Sequence, residues 1–240
     1  MTEAMIDRRN LLAGALMTVG AAALSPVAAS AAATAMPSPA ASGYTPQAVP
    51  LPFDPKTIMG LSEKLLVSHH DNNYVGAVKR LGTIEGQLAA LDPAAAPNFT
   101  INGLKREELI AWNSMILHEI YFAGLGAPTR PGAALASAIE HDFGSEARWQ
   151  AEFTAMGKAQ GGGSGWVILT YCHRDNRMVN QWAADHTMAL AGATPILVLD
   201  MYEHAYAIDY GAKAAAYVDA FIATVNWTSA DSRFAKASSA

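Results

Sequence analysis

Cysteine is almost absent: Cys172 stands alone in 240 residues. One thiol can neither close an intramolecular disulfide nor build a cysteine-based zinc site, so any metal must be held by His, Asp or Glu. Positive charge is scarce as well. Lys and Arg number 16 against 21 Asp and Glu, a formal net charge of −5. That balance supplies no basic field of the kind nucleic-acid binding relies on, so no nucleic-acid partner is expected. An uninterrupted membrane-length apolar run is lacking too. Leu11 to Leu24 is broken by Gly14 and Gly20 and falls short of the ~20 residues a spanning helix needs. The run Gly161-Gly162-Gly163 is not followed by the Gly-Lys-Ser/Thr order of a phosphate loop. There is no internal repeat and no heptad register.

What is present is unevenly spread. No charged residue occurs from Asn10 to Phe53, and this stretch opens directly behind Arg8-Arg9. A charged start, an apolar run and the small-residue pattern Ala29-Ser30-Ala31 predict an export signal over residues 1–31. The segment Asp7-Arg8-Arg9-Asn10-Leu11-Leu12 resembles a twin-arginine signal, which exports already folded proteins. The expectation is a mature chain that begins near residue 32, lies in the periplasm or is otherwise exported, and has no membrane association after cleavage. Residues 32–50, rich in Pro, Ala and Ser, are expected to form a flexible linker or tail.

From Leu51 the composition becomes that of a folded domain. Gly60-Leu61-Ser62-Glu63 predicts a helix start, and apolar residues then recur at three- and four-residue spacing. A second helix is expected from Gly82 to Leu91. A third starts at Asn102 or Gly103, carries an apolar stripe through Leu109, Trp112, Ile116 and Phe122, and stops at Gly124 to Pro128. Two further helices follow, at Ala133 to His141 and Glu146 to Ala159. Then the period changes. Trp166 to Cys172 and Met178 to Ala183 read as strands, Thr194 to Leu199 as a short buried strand, and Lys213 to Thr224 as a closing helix. The fold class is α+β: a helical half over 51–127, then an α/β half over 128–240 with a small antiparallel sheet.

Seven histidines offer chemistry: His69, His70, His118, His141, His173, His186 and His204. His69 and His118 lie on two separate helices, where each taken alone reads equally as an ordinary core histidine. The segment Pro195 to Tyr206 changes the balance. A buried strand ends at Asp200, where an uncompensated carboxylate is costly, and His204 follows four residues later. That placement asks for a cation. A carboxylate with histidines from separate elements suits iron or manganese, although ligand type alone leaves zinc and copper open.

Leu51-Pro52-Phe53, Leu61-Ser62-Glu63-Lys64 followed by His69-His70-Asp71, and His118-Glu119-Ile120-Tyr121-Phe122 occur in this order. Gly163-Ser164-Gly165-Trp166, Asp200-Met201-Tyr202-Glu203-His204-Ala205-Tyr206, and Val225-Asn226-Trp227 with Arg233-Phe234 complete it. In these stretches the chain resembles the iron/manganese superoxide dismutases, from Leu51 to Phe234. The resemblance implies a helical hairpin followed by an α/β domain with a three-stranded antiparallel sheet. It implies one Fe or Mn ion per subunit, held by His69, His118, Asp200 and His204 with a water or hydroxide as fifth ligand. It implies superoxide as substrate, and a homodimer in which Glu203 crosses the interface. A metal-binding paralogue with low or no dismutase activity is the alternative.

Aligned without a gap from Leu61, the family's gateway histidine and tyrosine become Asn73 and Ala77, and Ala207 replaces a tyrosine contributed by the other subunit. Tyr74, one residue from the Asn73 position, is the candidate to supply a hydroxyl there. Ser114 stands where some members carry a solvent-binding glutamine and is too short to serve. His186 is the candidate in its stead, because an imidazole can donate a hydrogen bond to bound solvent. Trp166 and Tyr202 are expected to wall the site, and Lys213 to lend the acidic protein local positive charge.

Overall fold

A computed structural model of the chain describes residues 45–239. The expected signal, 1–31, and the tail as far as residue 44 lie outside the described residues. What remains of the tail is anchored. Pro46 is buried, and Val49 is held by two side chains: its N–H donates to the Tyr74 hydroxyl at 2.8 Å, and its carbonyl accepts from His70 Nε2 at 2.9 Å.

Ser62 caps the first helix, its side-chain oxygen accepting from the Leu65 N–H at 3.1 Å. Helix α1 (Glu63–Ser68) runs into a π-helical turn (His69–Tyr74) and then into α2 (Val75–Ala90). The two helices read from the sequence are therefore one rod. Gly82, which looked like a break, sits inside α2. A Cβ there would stand 3.5 Å from the Pro46 ring, an ordinary contact distance, which places the anchored tail alongside this point of α2.

Helix α3 (Asn98–Ala123) begins earlier than expected, because Thr100 and Ile101 already donate to the Pro97 carbonyl. Its buried face includes Ala111, Met115, His118 and Phe122. Leu109 and Trp112, read as part of the apolar stripe, are 46% and 37% exposed. Helices α2 and α3 form the hairpin, and α3 also packs on the sheet.

Helix α4 (Ala133–Phe143) ends at Gly144 in the left-handed region, φ 83°. Helix α5 (Glu146–Ala159) starts from a Ser145 cap. The sheet is antiparallel with order β2-β1-β3: β1 (Trp166–Cys172) is central, flanked by β2 (Arg177–Ala183) and β3 (Ala193–Asp200). Its central strand is buried from Trp166 to Tyr171, which explains the apolar run Trp166 to Leu169; the buried Thr170 hydroxyl donates to the Ile168 carbonyl. Pro195 in β3 is tolerated because the pairing with β1 shifts register there, between Leu169 and Thr170.

Helices α6 (Ala207–Tyr210), α7 (Ala214–Ala223) and α8 (Thr228–Ser238) follow. The last one extends the fold beyond the helix expected to close it. Its Asp231 carboxylate accepts from the Gly132 N–H at 2.9 Å, and Phe234 is buried against Tyr171. Among the described residues no helix is long and apolar enough to cross a membrane.

Candidate metal centre

Asp200 is the last residue of β3 and pairs across the sheet with Trp166, the first of β1. The close approach of these strand ends depends on Gly165. Its φ is 131°, and a Cβ there would fall 2.1 Å from the Ala183 carbonyl oxygen. Only glycine fits, and its own carbonyl accepts from the Met201 N–H at 2.9 Å. The chain then turns through a 3₁₀ segment (Glu203–Ala205) that carries His204. His69 enters from the start of the π turn and His118 from the middle of α3.

These four side chains converge. Asp200 Oδ2 lies 3.1 Å from His69 Nε2, 3.3 Å from His204 Nε2 and 3.5 Å from His118 Nε2. His118 and His204 Nε2 are 3.4 Å apart. Ligand atoms about 2.1 Å from one ion, at right to tetrahedral angles, stand about 3.0–3.4 Å from each other. The spacing is that of a shared ion. His69, His118 and Asp200 are buried, and His204 partly so.

Proton bookkeeping points the same way. His118 Nδ1 lies 2.6 Å from the Ser114 carbonyl, which only accepts, so Nδ1 carries the proton and Nε2 presents a lone pair to Asp200 and His204. Burial lowers the His118 pKa to about 3, and burial likewise lowers that of His69. His118 is therefore a neutral imidazole at ordinary pH, and burial disfavours the charged form of His69 as well. His69 Nδ1 is buried without a hydrogen-bond partner. Burial works to raise the Asp200 carboxyl, but His204 and His69 beside it hold it well below the usual carboxylate range. Asp200 Oδ1 is committed to the Tyr202 N–H at 2.8 Å and its backbone carbonyl to the Tyr217 hydroxyl at 2.8 Å. Oδ2 is thus aimed inward at three imidazoles, and the His118 lone pair facing this buried carboxylate calls for a cation between them.

His186 lies beside the cluster, its ring 6.3 Å from that of His118. Trp166 Nε1 donates to His186 Nδ1 at 3.1 Å, and burial lowers the His186 pKa. Its proton therefore resides on Nε2. Tyr202 stacks between His186 and His204 at 4.9 and 5.3 Å, while Trp166 meets His118 edge-on at 5.2 Å. Both wall the site.

Tyr74 has another occupation than the one expected. Its buried hydroxyl accepts from Val49 and donates to Glu119 Oε1 at 2.9 Å, so it serves the tail and α3. A cavity of about 290 Å³ opens between α2 and α3, lined by Asn73, Ala77, Arg80, Ser114 and His186 among others. Lys213 caps α7, is exposed and does not line it; Arg80 does. Glu203 and Ala207 are both exposed. His70 and His173 bind a backbone carbonyl and a hydroxyl elsewhere, and His141 pairs with its neighbour Asp142. Sequence reasoning missed Tyr217 and Asn113. Asn113 donates to the His186 carbonyl at 2.5 Å, and only its place on α3, one residue before Ser114, hinted at it.

Residues 131–233 match the family model of the C-terminal domain of iron/manganese superoxide dismutases. The superoxide dismutase (Fe) of Cupriavidus metallidurans is 66% identical over 188 residues, covering 78% of this chain and 95% of the relative. A manganese superoxide dismutase of Halobacterium salinarum is 34% identical over 200 residues, covering 78% and 94%. One of Aquifex pyrophilus, an iron form, is 34% identical over 191 residues, covering 76% and 88%. With its cluster of three histidines and an aspartate, its three-stranded sheet and relatives matched over nearly their whole length, the chain belongs to the iron/manganese superoxide dismutase family.

Proposed function

We propose that this protein dismutates superoxide to oxygen and hydrogen peroxide at a mononuclear iron or manganese site. The observation that carries the reading is the convergence of three imidazole Nε2 atoms on Asp200 Oδ2, with His118 fixed as a neutral ligand by Ser114. Such nitrogen and oxygen donors fit iron or manganese. His69, His118, Asp200 and His204 would hold one ion per subunit, which when bound would supply reversible one-electron chemistry for the oxidation of one superoxide and the reduction of a second.

The protein's own groups manage geometry and protons. Trp166 holds His186 in the tautomer that keeps a proton at Nε2, a donor beside the site. Tyr202, whose pKa burial raises to about 12, stays a neutral phenol between two imidazoles. Buried Trp166, Phe122 and Tyr121 surround the ligands and exclude bulk water.

The chain acts as an exported homodimer in this reading. Arg8-Arg9 and the apolar run behind them support twin-arginine export with cleavage near residue 31, to the periplasm or its equivalent. The exposed carboxylate of Glu203, next to ligand His204, supports an interface there. The test is direct: load the protein with iron or manganese to full occupancy and follow superoxide decay. Decay far above the spontaneous rate with either metal is expected; none with both rejects the reading. Sedimentation of the loaded protein tests the dimer, and the fate of a reporter fused to residues 1–40 in cells lacking the twin-arginine translocase tests the route.

A further inference from the structure

Among the described residues, Arg80 is the one Lys or Arg side chain that lines the cavity between α2 and α3. Asn73, Ala77 and Arg80 recur at intervals of four and three residues, so they present one face of the rod to this space. Opposite them are Ser114, whose carbonyl fixes His118, and His186. The floor is thus one side chain removed from the ligand cluster. Among the described residues no carboxylate lines the cavity, and the side chain of Ala77 there is small. Arg80 is 55% exposed and forms an ion pair across the hairpin with Glu107 of α3. Glu107 itself does not line the space, and Arg106 also approaches it at 3.6 Å.

An anionic substrate gains nothing from a protein whose net charge is −5; its approach must rest on a local field. We propose that Arg80 draws superoxide into the α2–α3 cavity and that Glu107, by pairing with it, sets the strength of that attraction. The inference rests on the dismutase reading above and names a positioning residue for the same site. Glu107 Oε2 is buried against Arg80, so the pair holds Arg80 beside the cavity while more than half of the Arg80 side chain stays exposed to an incoming anion.

The experiment uses the metal-loaded protein with R80Q, E107Q and, as control, R148Q, which removes an exposed cation of α5 outside the cavity. Superoxide decay is followed by stopped flow across ionic strength. Arg80→Gln is expected to lower kcat/KM at low salt by up to about tenfold, the lower end of what a charged cleft adds, to leave kcat unchanged and to flatten the salt dependence. Glu107→Gln is expected to raise kcat/KM at low salt, and Arg148→Gln to behave as the parent. Independently of activity, azide is titrated into the metal-free protein and observed by NMR. Shifts at Asn73 and Ala77 that vanish in R80Q support the inference. An R80Q protein that keeps the parent's kcat/KM, salt slope and azide shifts overturns it. If no loaded protein destroys superoxide, the dismutase reading fails, while the azide titration still decides whether Arg80 holds an anion in the cavity.

Discussion

The indole N–H of Trp166 donates to Nδ1 of His186 at 3.1 Å. Trp166 reaches the centre from the first residue of β1, and His186 comes from the loop after β2. One hydrogen bond thus decides which imidazole nitrogen keeps the proton.

Trp166→Phe should retain full metal occupancy and lose about tenfold or more in rate, the range typical of groups that orient the ligand surroundings. Trp166 acts through His186. Added to His186→Ala, the substitution should therefore cost little further rate, whereas independent roles would give additive losses. Steady-state rates of the two single variants and the double variant, each normalised to bound metal, decide the matter.

His118→Ala should abolish stoichiometric metal binding, while His141→Ala, at an exposed position paired only with Asp142, should not. Metal analysis after dialysis against chelator reads both. Equal retention would refute the ligand assignment.

Gly165→Ala should destabilise the protein by more than about 4 kcal/mol or prevent folding, since backbone strain and a backbone clash add together. The clash is with the Ala183 carbonyl, 2.1 Å from the new Cβ, which cannot rotate away. Gly162→Ala, where nothing lies within 4 Å, should cost less although its φ is 83°. Thermal unfolding of both variants reports the difference.

A chain beginning at residue 32 should be more stable than one beginning at 51. The truncation removes two hydrogen bonds made by Val49 and the burial of Pro46. Hydrogen bonds are worth about 1 kcal/mol each, and the cut strips partners from Tyr74 and His70, so a loss of about 2 kcal/mol in urea unfolding is expected. Identical midpoints would show that the anchored tail contributes nothing.

Elements with strong local signals were legible from sequence. Ser62, within the expected helix start, caps α1, and the continuous apolar run Thr194 to Leu199 marked a strand whose second half is buried. The Asp200–His204 spacing was legible because a strand end and a four-residue step bring both to one point. Other features depend on distant partners. Helix α3 is covered by α2 on one side and by β3 on another, so its apolar positions do not mark one face, and Leu109 and Trp112 were misplaced. Helix α8 is held by Asp231 on Gly132 and by Phe234 on Tyr171, contacts far apart in the chain. Tyr74 looked like a hydroxyl for the site because its sequence position lies next to Asn73, but the hydroxyl was taken by a tail read as flexible.

The π-helical turn His69–Tyr74 works as an angular offset between two halves of one rod. Each π turn accommodates one residue more than an α turn, which is about 100° of helical rotation. His69 opens the turn where α1 ends, and Ala77 and Arg80 lie on α2 beyond it, so the offset lets one continuous helix aim His69 at Asp200 and a separate face at the cavity. Deleting a single residue within 70–74 would regularise the helix and make those two aims incompatible, which ties the length of this short stretch to the chemistry on either side of it.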